Sequence, residues 1–375
     1  MTDYLELAAP GLKGLHPYQP GKPIEALQRE YGVSQVVKLA SNENPLGPSP
    51  QVLVALRNAM PELARYPDGN AFELKTALSR HLSVDMEQLT IGNGSNDLLE
   101  LIGRAFVTSD NEVIFSEHSF AVYPLVTQAL NARAVVTPAK DWGNDLAAMR
   151  EAISPATRLI FIANPNNPTG TWLAGDSLEA FLADVPTHVV VVVDEAYFEY
   201  ANDACLGISG YPNALQWLGR YSNLIVTRTF SKAYGLAGLR VGYSVSHPQI
   251  ADLLNRVRQP FNVNQLALVG ACAALQDQDY LNRAIALNCT GMRTLCRAFD
   301  AAGLAYIPSA GNFIAVRVGG NAAAIYDALL HDGVIVRPVA NYGMPEYLRV
   351  TVGTDEENQV FLKCLKKILA SDGVG

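Results

Sequence analysis

Short apolar runs alternate with stretches of helical periodicity over most of the chain. The apolar runs predict strands at residues 113–115, 134–137, 158–163, 188–193 and 223–227. Between two of them, Leu98, Leu101, Ile102 and Ala105 recur at the i, i+3, i+4, i+7 spacing of one helix face. Residues 189–193 are all valine, and a strand apolar on both faces is typical of a parallel sheet covered by helices on each side. The pattern predicts an α/β fold with a mostly parallel sheet flanked by helices.

The last third of the chain has a different pattern. One or two helices are predicted over 276–303, followed by strands at 313–318, 334–337 and 347–352 with helices at 322–331 and 356–370. This order predicts a second, smaller α+β domain, and the first 45 residues are rich in proline and glycine. We predict an N-terminal arm (1–30), a large domain (46–285) and a small domain (31–45 and 286–375).

Composition narrows the possible partners and location. The chain has 375 residues, 49% of them hydrophobic and 17% charged, as expected of a packed globular protein of two domains. The net charge of −8 argues against nucleic acid or an anionic membrane as a partner, but it allows a local cationic pocket. No targeting segment or apolar run of membrane-spanning length occurs, so a cytoplasmic location is expected. The five scattered cysteines are expected to be free thiols, and no metal-ligand spacing is present.

Two loops follow predicted strands and carry polar groups suited to a ligand. Residues 92–97 (Gly-Asn-Gly-Ser-Asn-Asp) open a helix, whose first N–H groups could bind a phosphate. The alternative is a plain helix cap in which Asp97 and Glu100 form a capping box. Residues 164–170 (Asn-Pro-Asn-Asn-Pro-Thr-Gly) form either a rigid turn that projects an amide or an ordinary turn.

Two further segments carry charged groups directly after buried strands. Asp194 ends the valine strand, where a carboxylate is costly unless a cation or strong donors meet it. Lys232 lies among hydroxyls, glycines and apolar residues, an environment that would lower its pKa and suit Schiff-base chemistry. Arg240 could neutralise a phosphate at the same site. A phosphate cradle, an amide, an acid with Tyr197, and a lysine together match the requirements of pyridoxal phosphate (PLP).

These segments, in this order, resemble the fold-type I aminotransferases. Within that group, residues 41–48 (Ser-Asn-Glu-Asn-Pro-Leu-Gly-Pro), 65–68 (Arg-Tyr-Pro-Asp) and 347–353 (Tyr-Leu-Arg-Val-Thr-Val-Gly) are similar to the histidinol-phosphate aminotransferase family. The resemblance covers residues 16–368, nearly the whole chain. It implies a PLP-binding large domain, a smaller α+β domain and transamination in histidine biosynthesis, between L-histidinol phosphate plus 2-oxoglutarate and imidazole acetol phosphate plus L-glutamate.

The resemblance also implies a role for each cofactor-site residue. Lys232 would bind the cofactor and move the substrate proton, while Asp194 would keep the pyridine nitrogen protonated. Asn167 and Tyr197 would bind the ring hydroxyl oxygen, and Phe120 would stack on the ring. The implied phosphate ligands are Gly94, Ser95, Asn96, Thr229, Ser231 and Arg240, with Tyr66 reaching in from a partner subunit. The last point implies a homodimer with shared active sites.

For the substrate, the resemblance implies Tyr18, Asn44, Arg337 and Arg349. An arginine fork suits a carboxylate or a phosphate, so the pair would form an anion pocket, although a surface salt bridge is an alternative for Arg337. The substrates implied are a phosphorylated amino alcohol and glutamate or 2-oxoglutarate. The same motifs leave open an aromatic-amino-acid aminotransferase and a threonine-phosphate decarboxylase. A non-catalytic ligand sensor is a further alternative, but the acidic chain offers no DNA-binding module to accompany it.

Overall fold

The protein is described by a computed structural model that covers residues 4–17 and 21–371. Its helices are α1 (Tyr4–Leu7), α2 (Ile24–Tyr31), α3 (Pro50–Ala59), α4 (Phe72–Leu82), α5 (Ser95–Phe106), α6 (Val122–Ala129), α7 (Leu146–Glu151), α8 (Gly175–Asp184), α9 (Phe198–Ala201), α10 (Pro248–Val257), α11 (Gln265–Gln276), α12 (Gln278–Ala301), α13 (Ala322–His331) and α14 (Asp355–Ser371). Its strands are β1 (Val37–Lys38), β2 (Leu89–Gly92), β3 (Glu112–Ser116), β4 (Arg133–Thr137), β5 (Ala139–Lys140), β6 (Gly143–Asn144), β7 (Thr157–Ala163), β8 (Val190–Asp194), β9 (Leu224–Thr229), β10 (Gly242–Ser246), β11 (Tyr306–Ile307), β12 (Phe313–Arg317), β13 (Val334–Ile335), β14 (Arg337–Pro338) and β15 (Tyr347–Thr351).

The central sheet has the strand order β2-β10-β9-β8-β7-β3-β4. Its strands are parallel except for β10, which runs antiparallel to both β2 and β9. Val191 and Val193 belong to one buried apolar cluster and Val192 to another. Successive side chains of a strand point to opposite faces, so the valine run serves a core on each side of the sheet. The predicted mostly parallel sheet flanked by helices is confirmed.

The C-terminal third forms an antiparallel sheet in the order β11-β12-β15-β14, which packs with α12, α13 and α14 around its own apolar cluster. Near the N-terminus, β1 pairs in parallel with β13, so residues 37 and 38 lie beside the C-terminal segment. The domain limits given above stay a prediction. Among the described residues, no helix has both the length and the apolar character needed to cross a lipid bilayer.

Some local features differ from the expectations. The predicted strand 334–337 is divided into β13 and β14, which pair with different partners, β1 and β15. The range 276–303, predicted as one or two helices, contains the single helix α12, and the separate helix α11 precedes it. Strand β10 was not predicted, because its short run Gly-Tyr-Ser-Val-Ser has a polar alternation although every residue is buried. Within the proline-rich first 45 residues, the structure contains a helix, α2.

The expectation of five free thiols is wrong for two of them. Cys205 and Cys289 form a disulfide with their Cα atoms 6.0 Å apart, whereas Cys272, Cys296 and Cys364 are free. The two bonded cysteines are 84 residues apart in sequence. They meet because the turn Ala204–Leu206 packs on α12, a contact that residue spacing does not reveal.

Candidate active site

A cavity of about 210 Å³ lies at the carboxyl ends of the central strands, where the two sheets approach each other. In open α/β sheets this edge is where ligands bind. Of the residues named from the sequence, those that line it are Ser95, Asn96, Phe120, Asn167, Asp194, Tyr197, Thr229, Ser231, Lys232, Arg240, Arg337 and Arg349. Residues far apart in the chain are therefore brought into one site. Positions after strands predicted this for the residues of the four loop segments, whereas Phe120, Arg337 and Arg349 were expected here only through the family resemblance.

One end of the cavity is rich in hydrogen-bond donors suited to a phosphate. The guanidinium of Arg240 donates from Nη1 to Ser231 Oγ at 3.1 Å and to the Ala237 carbonyl at 3.0 Å. Gly94 has a φ of 82° and lies against Arg240, where a Cβ atom would overlap with the guanidinium. Only glycine fits this close approach without strain. An arginine, two serines and a helix start thus converge on one end of the cavity.

Helix α5 begins at this end without a capping side chain from any described residue. Gly94 is its N-cap residue, so the predicted alternative of a capping box through Asp97 and Glu100 is wrong. Asp97 instead accepts hydrogen bonds from the Asn93 N–H and from Asn262 Nδ2, both at 2.8 Å. The N–H groups of Ser95 and Asn96 in the first turn are consequently available to an anion, which the helix dipole also favours.

Asp194 lines the cavity and is only 4% exposed. Thr227 Oγ1 donates to its Oδ1, and the Tyr123 hydroxyl donates to its Oδ2, both at 2.9 Å. Burial raises the pKa of Asp194 to about 6, and these two hydrogen bonds oppose the rise. The position predicted a cation or strong donors, with a positively charged partner favoured; the two donors found are uncharged hydroxyls, and the carboxylate also lines the cavity.

Lys232 approaches the cavity from the loop after β9. Its Nζ donates to the Ser41 carbonyl at 3.1 Å. Burial lowers the pKa of Lys232 to about 7, and the positive charges of Arg349 and Arg240 add to the effect. An amine with this pKa is partly neutral near pH 7 and can act as a nucleophile or a base.

Tyr197 and Asn167 present polar groups between Asp194 and the arginines. The Tyr197 hydroxyl accepts a hydrogen bond from Asn42 Nδ2 at 2.9 Å, and burial raises the pKa of Tyr197 to about 12. The hydroxyl therefore keeps its own proton to donate. Asn167 Oδ1 accepts from Arg349 Nη1 at 2.6 Å, which leaves its amide N–H groups as donors.

The other end of the cavity contains two buried arginines. Arg337 on β14 and Arg349 on β15 are directly opposite each other in the small sheet, and they are 9% and 6% exposed. Arg349 also donates from Nη2 to the Ala40 carbonyl at 2.7 Å. The alternative that Arg337 forms a surface salt bridge is wrong, because its side chain is buried and lines the cavity.

Four residues named from the sequence are not among the described lining. Gly94 lies just behind Arg240, and Asn44 donates its side chain to the Ala233 carbonyl at 2.9 Å. Tyr66 is 83% exposed and stacks on Phe261 with ring centroids 4.8 Å apart. Tyr18 lies outside the described residues.

Several residues of the site were not predicted from the sequence. Thr227 could have been found, because side chains two apart on a strand share a face and Thr229 was already named. Asn42 lies in the quoted segment 41–48, where Asn44 was chosen instead. Tyr123 and Tyr342 gave no signal, since their places depend on how α6 and the small sheet pack.

Comparison with known proteins agrees with this geometry. The aminotransferase class I and II family matches residues 34–365, and the chain belongs to this family. Curated relatives are histidinol-phosphate aminotransferase 2 of Pseudomonas fluorescens, 58% identical over 98% of this chain and 99% of that one, and histidinol-phosphate aminotransferase 1 of Nitrosococcus oceani, 57% identical over 98% of each. The crystal structure of histidinol-phosphate aminotransferase from Sinorhizobium meliloti in complex with pyridoxal-5'-phosphate is 32% identical, with a TM-score of 0.88 over 97% of this chain and 98% of that one.

Proposed function

We propose that this protein is a PLP-dependent aminotransferase that interconverts L-histidinol phosphate plus 2-oxoglutarate and imidazole acetol phosphate plus L-glutamate. The observation that carries the proposal is a single cavity lined by a partly buried lysine, a buried aspartate and two buried arginines. Its relatives named above are histidinol-phosphate aminotransferases that align with nearly the whole chain. This similarity favours histidinol phosphate over the aromatic-amino-acid and decarboxylase alternatives.

The residues at the sheet end of the cavity fit PLP. Gly94 lies so close to Arg240 that any side chain at this position would overlap with the guanidinium group. Gly94 is also the N-cap residue of α5, whose first turn receives no side-chain cap from the described part of the chain. In the proposed site Ser95, Asn96, Thr229, Ser231 and Arg240 hold the phosphate, which has several oxygens to satisfy. When bound, PLP supplies an aldehyde that condenses with amines and a ring that takes up negative charge.

Different side chains of the protein are proposed to hold and to move the protons of the reaction. In this proposal Lys232, with its lowered pKa, binds the aldehyde and then carries the proton at the reacting carbon. Asp194 would accept a hydrogen bond from the ring nitrogen and keep that nitrogen protonated. Tyr197 and Asn167 would donate to the ring oxygen, because Asn42 and Arg349 already occupy their acceptor sides. Phe120 would pack on the ring.

At the other end, Arg337 and Arg349 are proposed to bind the anionic group of each substrate. Two neighbouring buried guanidinium groups can hold either a phosphate or a carboxylate by paired hydrogen bonds. The same pocket could thus accept the phosphate of histidinol phosphate in one half-reaction and a carboxylate of glutamate in the other. Tyr18 remains a predicted substrate contact, whereas Asn44 is not among the described residues that line the cavity, where Asn42 lies instead.

We also propose a homodimer with shared active sites. Large apolar side chains are exposed along residues 53–72 and at Phe261, which stacks on Tyr66, and exposed apolar patches mark interaction surfaces. The exposed members of this patch are Leu53, Val54, Met60, Leu63, Tyr66, Phe72 and Phe261. A second copy covering the patch would bury it and could receive Tyr66 at its own phosphate cradle. Sedimentation should give twice the 40.5 kDa chain mass, and a monomer at micromolar concentration would refute this proposal.

The test of the proposed reaction is the visible absorption spectrum of the purified protein. A yellow band should bleach when L-histidinol phosphate is added without a keto acid, and 2-oxoglutarate should restore it. Phenylalanine and tyrosine, tested in parallel, should bleach it far more slowly. A band that responds to the aromatic amino acids but not to histidinol phosphate would favour the aromatic alternative. A protein that stays colourless with added PLP would refute the proposal.

A further inference from the structure

Asp194 is held by two donors to which the proposed mechanism has so far given no role. Each of its oxygens accepts one hydrogen bond at 2.9 Å, from Thr227 on β9 and from Tyr123 on α6. Neither donor carries a charge. The carboxylate is thus fixed from the side of β9 and from the side of α6, which leaves its cavity side for a ligand.

Tyr123 is itself locked in position. Its side chain is buried, its ring stacks on Phe161 with centroids 4.6 Å apart and an interplanar angle of 3°, and Phe120 packs edge-on against it. Burial raises the pKa of Tyr123 well above the usual value, and the nearby Asp194 charge adds to the rise. The hydroxyl therefore keeps its proton at every pH relevant to the enzyme and acts as a permanent donor.

We propose that Tyr123 is a positioning residue which, together with Thr227, keeps the proton shared by Asp194 and the cofactor's ring nitrogen on the nitrogen. The inference rests on the proposed PLP site. A donor to a carboxylate stabilises its ionised form over its neutral form. With both donors present, Asp194 stays an ionised carboxylate and the cofactor's ring nitrogen stays protonated. Without Tyr123, the proton moves from nitrogen to an Asp194 oxygen and the ring becomes neutral.

The other groups around Asp194 do not replace this function. Glu195 follows it in the chain, but its carboxylate is paired with Arg228. The charge of Glu195 raises the pKa of Asp194, whereas that of Lys232 lowers it. The Tyr197 hydroxyl bonds with Asn42 instead. Among the described residues, the hydroxyls that donate to Asp194 are those of Tyr123 and Thr227.

The first experiment uses the apoenzyme and needs no cofactor. The protein is labelled with ¹³C at the aspartate carboxyl carbons, and the Asp194 signal is assigned by its loss in Asp194→Asn. In the wild type this carboxyl should titrate near pH 6. Tyr123→Phe should raise the midpoint by about one pH unit, the value of one hydrogen bond to a charged group. Thr227→Val should do the same, whereas Thr227→Ser should restore the wild-type midpoint.

The matched control is Tyr280→Phe. Tyr280 is also buried, and its hydroxyl donates to the carbonyls of Leu46 and Gly47 at 2.8 Å, but none of these three residues lines the cavity. This variant loses a similar hydroxyl and should leave the Asp194 midpoint unchanged. An unchanged midpoint in Tyr123→Phe, or an equal shift in Tyr280→Phe, would overturn the inference.

The second experiment follows the ring nitrogen in the holoenzyme by ¹⁵N NMR with labelled PLP. In Tyr123→Phe the signal should move toward that of an unprotonated ring, while Tyr280→Phe should match the wild type. If Tyr123→Phe does not fold, 3-fluorotyrosine at position 123 keeps the shape, makes the hydroxyl a stronger donor and should lower the Asp194 midpoint. Failure of the wild type to bind PLP would refute the proposed function instead, while PLP binding with an unmoved nitrogen signal would refute only the role of Tyr123.

Discussion

The two ends of the active-site cavity are built in different ways. The cofactor end is built largely from one sheet, where Asp194 ends β8 and Thr229, Ser231 and Lys232 follow on β9 and its loop. The arginine end joins separate parts of the chain, since Arg337 and Arg349 lie in the small sheet and Arg349 bonds with Ala40. The ends of neighbouring strands come together whenever their sheet forms, so the cofactor end needs little beyond the central sheet. The arginine end exists only when the second sheet and the N-terminal segment dock.

The two ends are nevertheless coupled electrostatically. After burial, the charge of Arg349 is the next cause of the lowered pKa of Lys232. Arg349 Nη1 also donates a hydrogen bond to Asn167 Oδ1 at 2.6 Å and so holds Asn167 in position. A substrate anion that neutralises Arg349 would therefore weaken this effect on Lys232. Experiments can therefore distinguish effects that arise at one end of the cavity from effects that depend on both ends.

The largest expected effect is the loss of Lys232 at the cofactor end. Lys232→Ala should lower turnover at least about a thousandfold, because in the proposed mechanism the nucleophile and the proton carrier are the same group. Single-turnover kinetics with histidinol phosphate measures this, with circular dichroism and sedimentation as checks that the fold and assembly are unchanged. Turnover retained in a folded variant would refute the mechanism.

The second prediction concerns the support beneath the cofactor end. Glu195 is fully buried and accepts hydrogen bonds from Arg228 Nε at 2.9 Å and Nη2 at 2.6 Å. Glu195→Gln leaves the Arg228 charge buried without its counter-ion, so it should lower the free energy of unfolding by about 3 kcal/mol. Chemical denaturation of the apoenzyme measures the change.

The control for that prediction is the surface pair of Arg317 and Glu346, which lie 2.8 Å apart and half exposed on the small sheet. Glu346→Gln should cost less than about 1 kcal/mol. Equal losses of unfolding free energy in Glu195→Gln and Glu346→Gln would show that the contribution of the Glu195–Arg228 pair to stability does not depend on its burial.

The third prediction tests the arginine end. Arg349→Gln and Arg337→Gln should each weaken substrate binding about 30-fold, which corresponds to about 2 kcal/mol for hydrogen bonds to a charged group. Arg349→Gln should also lower kcat because it releases Asn167, whereas Arg337→Gln should act mainly on KM. Arg317→Gln, on the same sheet but exposed, should change neither. Similar KM values in all three variants would contradict the anion pocket.

The smallest expected effect is the pH dependence of cofactor capture. Only the neutral form of Lys232 attacks an aldehyde, so the capture rate of the apoenzyme should fall about tenfold for each pH unit below about 7 and level off above it. Stopped-flow absorbance after mixing with PLP gives the profile, and free lysine amide serves as the reference amine. Arg349→Gln should move the midpoint upward. A midpoint near that of free lysine would show that the cavity does not lower the pKa.

The cofactor end was predictable from the sequence in most of its residues. Buried strands were visible as apolar runs, and polar groups that directly follow such strands must meet at one sheet edge. The arginine end was predictable only through family resemblance, because Arg337 and Arg349 look like ordinary strand residues. Asn44 was chosen where Asn42 lines the cavity, since residue type alone cannot tell which of two nearby amides turns inward.

The sequence by itself determined the class of fold, the order of the strands along the chain and most of the segments whose polar groups line the cavity. These features depend on local patterns of apolar and polar residues, which a single chain displays directly. Tertiary structure alone decided that Tyr123 reaches Asp194, that Cys205 meets Cys289, and that Arg349 contacts Ala40 and Asn167. Each of these contacts joins residues 71 or more positions apart, and such pairs are set by how helices and sheets pack rather than by any local propensity.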